Sequence, residues 1–214
     1  MSKPYSETDF SSQVVEDRTW RIKEISDLKT AIKRGDESLK RVLLRAIVTI
    51  SYAHWEGYVK FSAKKYLEHV ALRKFQYVML DKQFYRNYFL GRLATLSTSK
   101  IGIAGRCAIV EEILTSETHR FERVNDDLVN TKSNLNFEVF ADICLICGVS
   151  SGEFSDKADF IDKILLRRRN EIAPGEDTLV ALDDLDEVAD VTINLMRAFG
   201  DALENHVVLQ SYRV

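Results

Sequence analysis

The scarcity of chain breakers constrains this sequence more than any other feature. Two prolines and nine glycines are spread over 214 residues, and the long stretches between them are rich in Leu, Ala, Glu, Lys and Arg. Those residues lose little on entering a helix, whereas proline removes a donor and glycine costs backbone entropy. The expectation is an all-α bundle with few tight turns. Hydrophobic residues make up 45% of the chain, enough to fill a core and to argue against global disorder. The length suits one sizeable domain.

Apolar spacing places the helices. Val15, Ile22, Ile25, Leu28 and Ile32 recur at helical steps from about Ser12 to Arg34, where Gly35 closes the element. Residues 1–10 read as a flexible polar leader, and 11–214 as the helical domain. Asp36 can cap a second helix, whose stripe runs through Leu39, Leu43, Ile47, Ile50, His54, Gly57 and Phe61 to about Lys74. That helix is long enough to be the spine of a bundle. The aromatic-rich residues 75–100 suggest short crossing helices, and Ser97 to Gly102 a loop. Arg106 to Asn130 reads as helical in its first half, and Asn134 to Gly148 as a short helix with Gly148 in the left-handed closing position. Ser155 or Asp156 then caps a helix that Pro174-Gly175 stops, because proline lacks an N–H and restricts Ala173 before it. Asp183 caps the last helix, which carries Asp184, Asp186 and Glu187 in its first turn and runs to about Val208.

Charge and cysteine usage narrow the function classes. A net charge of -3 is nearly neutral, so binding to nucleic acid would have to come from a local patch. Cys107, Cys144 and Cys147 form no disulfide framework, which fits a reducing, cytoplasmic setting. Cys144-x-x-Cys147 sits in an apolar run with no further ligands at zinc spacing, so it reads as a buried, inert pair and no metal is expected. The polar N-terminus and the lack of an apolar run of about 18 residues point to neither a signal peptide nor a membrane span.

Two stretches could carry chemistry. The first is Leu165-Leu166-Arg167-Arg168-Arg169-Asn170-Glu171-Ile172-Ala173-Pro174-Gly175-Glu176. Taken alone, its arginine run suits a helix C-terminus, where cations complement the macrodipole. The second is Ser51-Tyr52-Ala53-His54-Trp55-Glu56-Gly57-Tyr58-Val59-Lys60. Glu56 and Lys60 are an i,i+4 pair in the favourable order, and His54 falls on the apolar stripe with Ile50 and Phe61 as a core histidine would.

Together the two strings resemble the HEPN ribonuclease superfamily, and within it the MAE-like branch named after cyanobacterial members. In that branch Tyr-Ala-His-Trp-Glu-Gly-Tyr-x-Lys sits on an early long helix and Arg-Asn-x-x-Ala-His-Gly near the penultimate one. Arg169, Asn170, Ala173 and Gly175 fit the second motif, but Pro174 stands where the histidine belongs. The resemblance implies a HEPN-type helical bundle and a metal-independent endoribonuclease of the toxin or phage-defence kind. It implies an RNA substrate, no cofactor, a homodimer whose motif helices meet at a twofold, and an antitoxin or defence-system partner. Arg169 would stabilise phosphate through its planar fork and Asn170 would assist. Arg168, Glu56, Lys60 and His54 would support that pair or line the RNA groove. Pro174 can neither move a proton nor hold a phosphate. His54, His69, His119 and His206 all lie outside the motif spacing, so the chain is expected to be a weak or inactive enzyme. The alternatives are a non-catalytic HEPN domain binding RNA or nucleotide, and a helical interaction protein.

Overall fold

Three long helices build the core. The computed structural model describes residues 3–98, 101–132 and 134–214, without the side chains of 91, 92, 94–98 and 126. Helix α1 (Glu7–Arg34) starts in a reciprocal cap: Ser6 accepts from the Asp9 amide, and Asp9 accepts in return from the Ser6 amide at 2.9 Å. The stretch expected as a loose leader over residues 1–10 is therefore helical from Glu7 on, and Phe10 is fully buried. Asp36 caps α2 (Glu37–Leu72), the expected spine, through the Leu39 amide at 2.8 Å. Helices α1, α2 and α7 (Asp184–Val208) pack against one another. Asp183 precedes α7 as expected, but its side chain makes no capping hydrogen bond.

The middle of the chain departs from the periodicity reading. A 3₁₀ turn at Tyr77–Met79 leads into one helix, α3 (Lys82–Thr98), in place of several short ones. The loop expected over 97–102 is helical through Thr98, and residues 99 and 100 lie outside the described residues. Helix α4 (Ile103–Thr115) buries none of its side chains. Helix α5 (Phe137–Cys147) ends at Gly148 in the left-handed region (φ 72°), as read from the sequence. Cys144 and Cys147 are both fully buried, and burial pushes the Cys144 thiol up to about 12. No strand forms among the described residues, which hold only two isolated β-bridges. No helix among them is long and apolar enough to cross a membrane.

The segment before α7 is less regular than a capped α-helix. A 3₁₀ run, Gly152–Lys157, passes through Ala158 and Asp159 into a π-helical stretch, Phe160–Arg167, which continues into α6 (Arg168–Ile172). Phe160, Ile161 and Leu165 are buried, so the wider winding keeps three apolar side chains on the core while the arginines follow immediately.

Burial also makes the fold acid-sensitive. Desolvation lowers the imidazoles of His54, His69 and His206 below the usual histidine value. The unfolded chain therefore takes up protons first as pH falls. Their contribution to stability is complete above the unfolded value near 6.5 and is lost as pH drops from there toward the folded-state values. Melting temperature should fall between about pH 7.5 and about pH 5.5 in thermal scans. A flat or rising profile would mean that these rings stay readily protonated in the fold.

Candidate functional site

Arg169 and Asn170 sit on the last turn of α6, against the side of α2. The Arg169 guanidinium lies over the Tyr52 ring, 4.9 Å from its centroid, and its Nη1 donates to Asn170 Oδ1 at 2.7 Å. Asn170 Nδ2 donates in turn to Asn134 Oδ1 at 3.3 Å, on the loop that leads into α5. A cation over an aromatic face gains about 0.5–1 kcal/mol at an accessible site, so Tyr52 is a platform that holds the fork in place. Tyr52 is itself fixed from below: it is almost fully buried and its hydroxyl accepts the Leu135 amide at 2.7 Å. Burial, and with it the charge of the nearby Glu56 carboxylate, raise its phenol above the usual value.

Glu56 reaches this assembly one helical turn beyond Tyr52. It accepts from Thr131 Oγ1, and among the described residues it makes no ion pair with Lys60. The i,i+4 pair read from the sequence is thus replaced by a brace between α2 and the 130–136 loop. Lys60 is half-buried one further turn along. His54 is not brought to Arg169. It faces α1, with Nε2 2.8 Å from Glu24 Oε2, Nδ1 3.5 Å from Arg21 Nη1 and its ring against Trp20. Arg168 donates from Nη1 to Asp184 Oδ2 at 2.7 Å, tying α6 to the first turn of α7.

The end of α6 explains what position 174 can do. The Ala173 amide reaches the Arg169 carbonyl (2.9 Å), the Gly175 amide the Ile172 carbonyl (3.0 Å) and the Glu176 amide the Glu171 carbonyl (3.2 Å). With Gly175 at φ 98°, this is a left-handed helix closure of the Schellman type. Ala173 remains α-helical (φ -62°, ψ -40°) although it precedes a proline, so Gly175 makes the stop and the expected restriction of Ala173 does not. An N–H at position 174 would point back to the Asn170 carbonyl, and Pro174 has none. Positions 170 and 174 are one turn apart on the same face. Pro174 is exposed, so a side chain there stands beside Asn170 and within reach of solvent.

Arg41 and Arg45, one and two turns into α2, flank the same closure. Arg41 Nη2 reaches both carboxylate oxygens of Asp177 (2.8 and 2.9 Å), and Arg45 Nη2 donates to the Glu176 carbonyl at 2.7 Å. Neither they nor Thr131 and Asn134 were singled out from the sequence, and Tyr52 entered only as part of its string, without a role. The signal was the run Arg41, Arg45, Thr49, Tyr52, Glu56, Lys60, which repeats at steps of three and four along one side of α2.

Chemically, the assembly presents one permanent cation and one amide on an exposed helix end. It can grip a phosphate, and no histidine stands beside Asn170 among the described residues. No cluster of metal-ligating side chains occurs among the described residues. A family model described as RiboL-PSP-HEPN matches residues 16–205, which include every side chain of this assembly. No curated protein and no solved structure matches the chain.

Proposed function

The chain belongs to the RiboL-PSP-HEPN family, and from that premise we propose that it acts on RNA as a metal-independent endoribonuclease of the toxin or phage-defence kind, disabled at position 174. The observation that carries this reading is the pair of half-buried Arg169 and exposed Asn170, with the Arg169 guanidinium pre-positioned over Tyr52 at an otherwise ordinary helix end. Cleavage by the neighbouring 2′-hydroxyl needs a proton acceptor, donors for the crowded phosphate and a proton for the leaving oxygen. Arg169 supplies the fixed positive fork, and Asn170 orients it and presents its amide. A histidine at 174, on the same face as Asn170, would supply the proton transfer that Pro174 withholds. Two α6 ends meeting across a twofold would combine both Arg169–Asn170 pairs in one cleft, so the assembly is a homodimer. The Tyr-Ala-His-Trp-Glu-Gly-Tyr string favours the MAE-like branch, and an antitoxin or defence-system protein is the partner this function calls for.

The second reading, a non-catalytic RNA-binding domain, draws support from the closure itself: Gly175 holds the left-handed turn and Pro174 fits the helix end without displacing Ala173.

Both readings share one test. Fluorescence anisotropy in chelator should show the unaltered chain binding labelled single-stranded RNA, and Arg169→Ala should weaken it by about tenfold, the effect of losing a charged hydrogen bond. Scattering should give a dimer at micromolar concentration. A monomer would remove the composite cleft, and binding unchanged by Arg169→Ala would move the RNA site elsewhere.

A further inference from the structure

We infer that the cleft between the first turns of α2 and the end of α6 is an RNA-backbone subsite, where Arg45 and Arg41 take the phosphate of a nucleotide flanking the one held at Arg169. The inference rests on the RNA reading above and extends it along the strand.

The cleft has a volume of about 260 Å³ and is lined by Arg41, Arg45, Thr49, Ile172 and Asp177, among others. That is small for a whole organic ligand, whose pockets run from roughly 300 Å³ upward, but ample for a phosphate and part of its ribose. It is continuous with the Arg169 platform in two ways. Ile172 lies three residues from Arg169, and Thr49 three residues from Tyr52, so both walls run on the same helix faces as the cation–π pair. Arg45 commits Nη2 to the Glu176 carbonyl, while its Nε is shut off from solvent with no acceptor among the described residues. The Arg45 guanidinium lines the cleft with no carboxylate partner among the described residues, so its charge is left for an anion drawn into the cleft.

One Arg41 nitrogen, Nη2, reaches both carboxylate oxygens of Asp177, so the guanidinium is held by an anion of the kind a phosphate could replace. Both side chains are largely exposed, at 65% and 74%, so the pair adds little to stability and exchanges readily. Asp177 therefore occupies the Arg41 fork in the free protein, and an incoming phosphate takes its place.

This predicts opposite signs for two neutralising changes. Asp177→Asn removes the competing carboxylate and should tighten binding of labelled single-stranded RNA several-fold. The slope of log affinity against log salt should steepen by about 0.7, one phosphate contact on a single strand. Arg45→Gln should weaken binding by about tenfold and flatten the slope by about 0.7. Lys23→Gln, which touches only an exposed pair with Asp27 on α1, should change neither. A brace with no ligand would instead leave affinity unchanged, or lowered, in Asp177→Asn. Asp177→Asn that binds no tighter, while Arg169→Ala still weakens binding, overturns the subsite and leaves the function reading standing. If Arg45→Gln does not fold, Asp177→Asn alone decides. A chain that binds no RNA at all overturns the function reading and the subsite together.

Discussion

Pro174→His is expected to raise the rate of RNA cleavage by a factor of roughly 10²–10⁴, the usual contribution of a positioned general acid or base. The geometry asks for no other change. Position 174 is already exposed, one turn from Asn170 and on its face. The helix end should accept the substitution, because Gly175 sets the closure and Ala173 is already helical. Histidine would add an N–H able to reach the Asn170 carbonyl, a hydrogen bond that Pro174 denies. The variant should consequently melt no lower than the parent, and it should be harder to express in living cells because it destroys their RNA. The measurement is the initial rate of cleavage of mixed cellular RNA. A folded variant with the parent's rate would favour the RNA-binding reading.

Trp55→Ala is expected to destabilise the chain by about 3–5 kcal/mol, the range for truncating a buried aromatic side chain. For a chain of this size that lowers the melting temperature on the order of 10 °C. Trp55 is fully buried where α2 meets α5 and α7, with ring centroids 5.0 Å from Phe140 and 6.4 Å from Phe199. Removing it leaves a cavity where three helices meet. Its Nε1 has no acceptor among the described residues, so Trp55→Phe should cost far less, since it gives up an unsatisfied donor along with part of the ring. Paired melts of the two variants check this. Equal losses would mean that the indole N–H is bonded after all.

The unusual string around Trp55 shows how far the sequence could be read. Its residues were legible as a unit, but they point in different directions from α2. His54 and Gly57 meet α1, where the Arg21 Nη1 stands 2.6 Å from any Cβ placed on Gly57. Trp55 fills the core, and Glu56 turns to Thr131 and Tyr52. Tyr58 is buried against Gly200 and Arg18 of neighbouring helices. A string dictated by three contacts at once looks like one motif, and only the packing separates them.

Helix existence was readable because strong period and caps such as Asp36 and Gly148 act locally. The early start of α1 rested on Ser6 and Asp9, a cap without a preceding apolar signal. The π-helical winding of Phe160–Arg167 has no local signature, since it is set by how Phe160, Ile161 and Leu165 meet the core. Arg169 and Asn170 were found through their motif. Tyr52 stood in the other string, but its stacking under Arg169 was not legible. Neither were Thr131 and Asn134, because the contacts that bring these residues to Arg169, Glu56 and Asn170 span 36 residues or more in sequence.

The central claim is that the Arg169 end of α6 is the RNA site and that a proton carrier is what it lacks. The most direct measurement compares Pro174→His with the double variant Pro174→His/Arg169→Ala on the same RNA in chelator, reading both the rate and the chemistry of the new ends. The account predicts cyclic-phosphate ends from the first and no cleavage from the second. Cleavage that survives the loss of Arg169, or that requires an added metal ion, would contradict it.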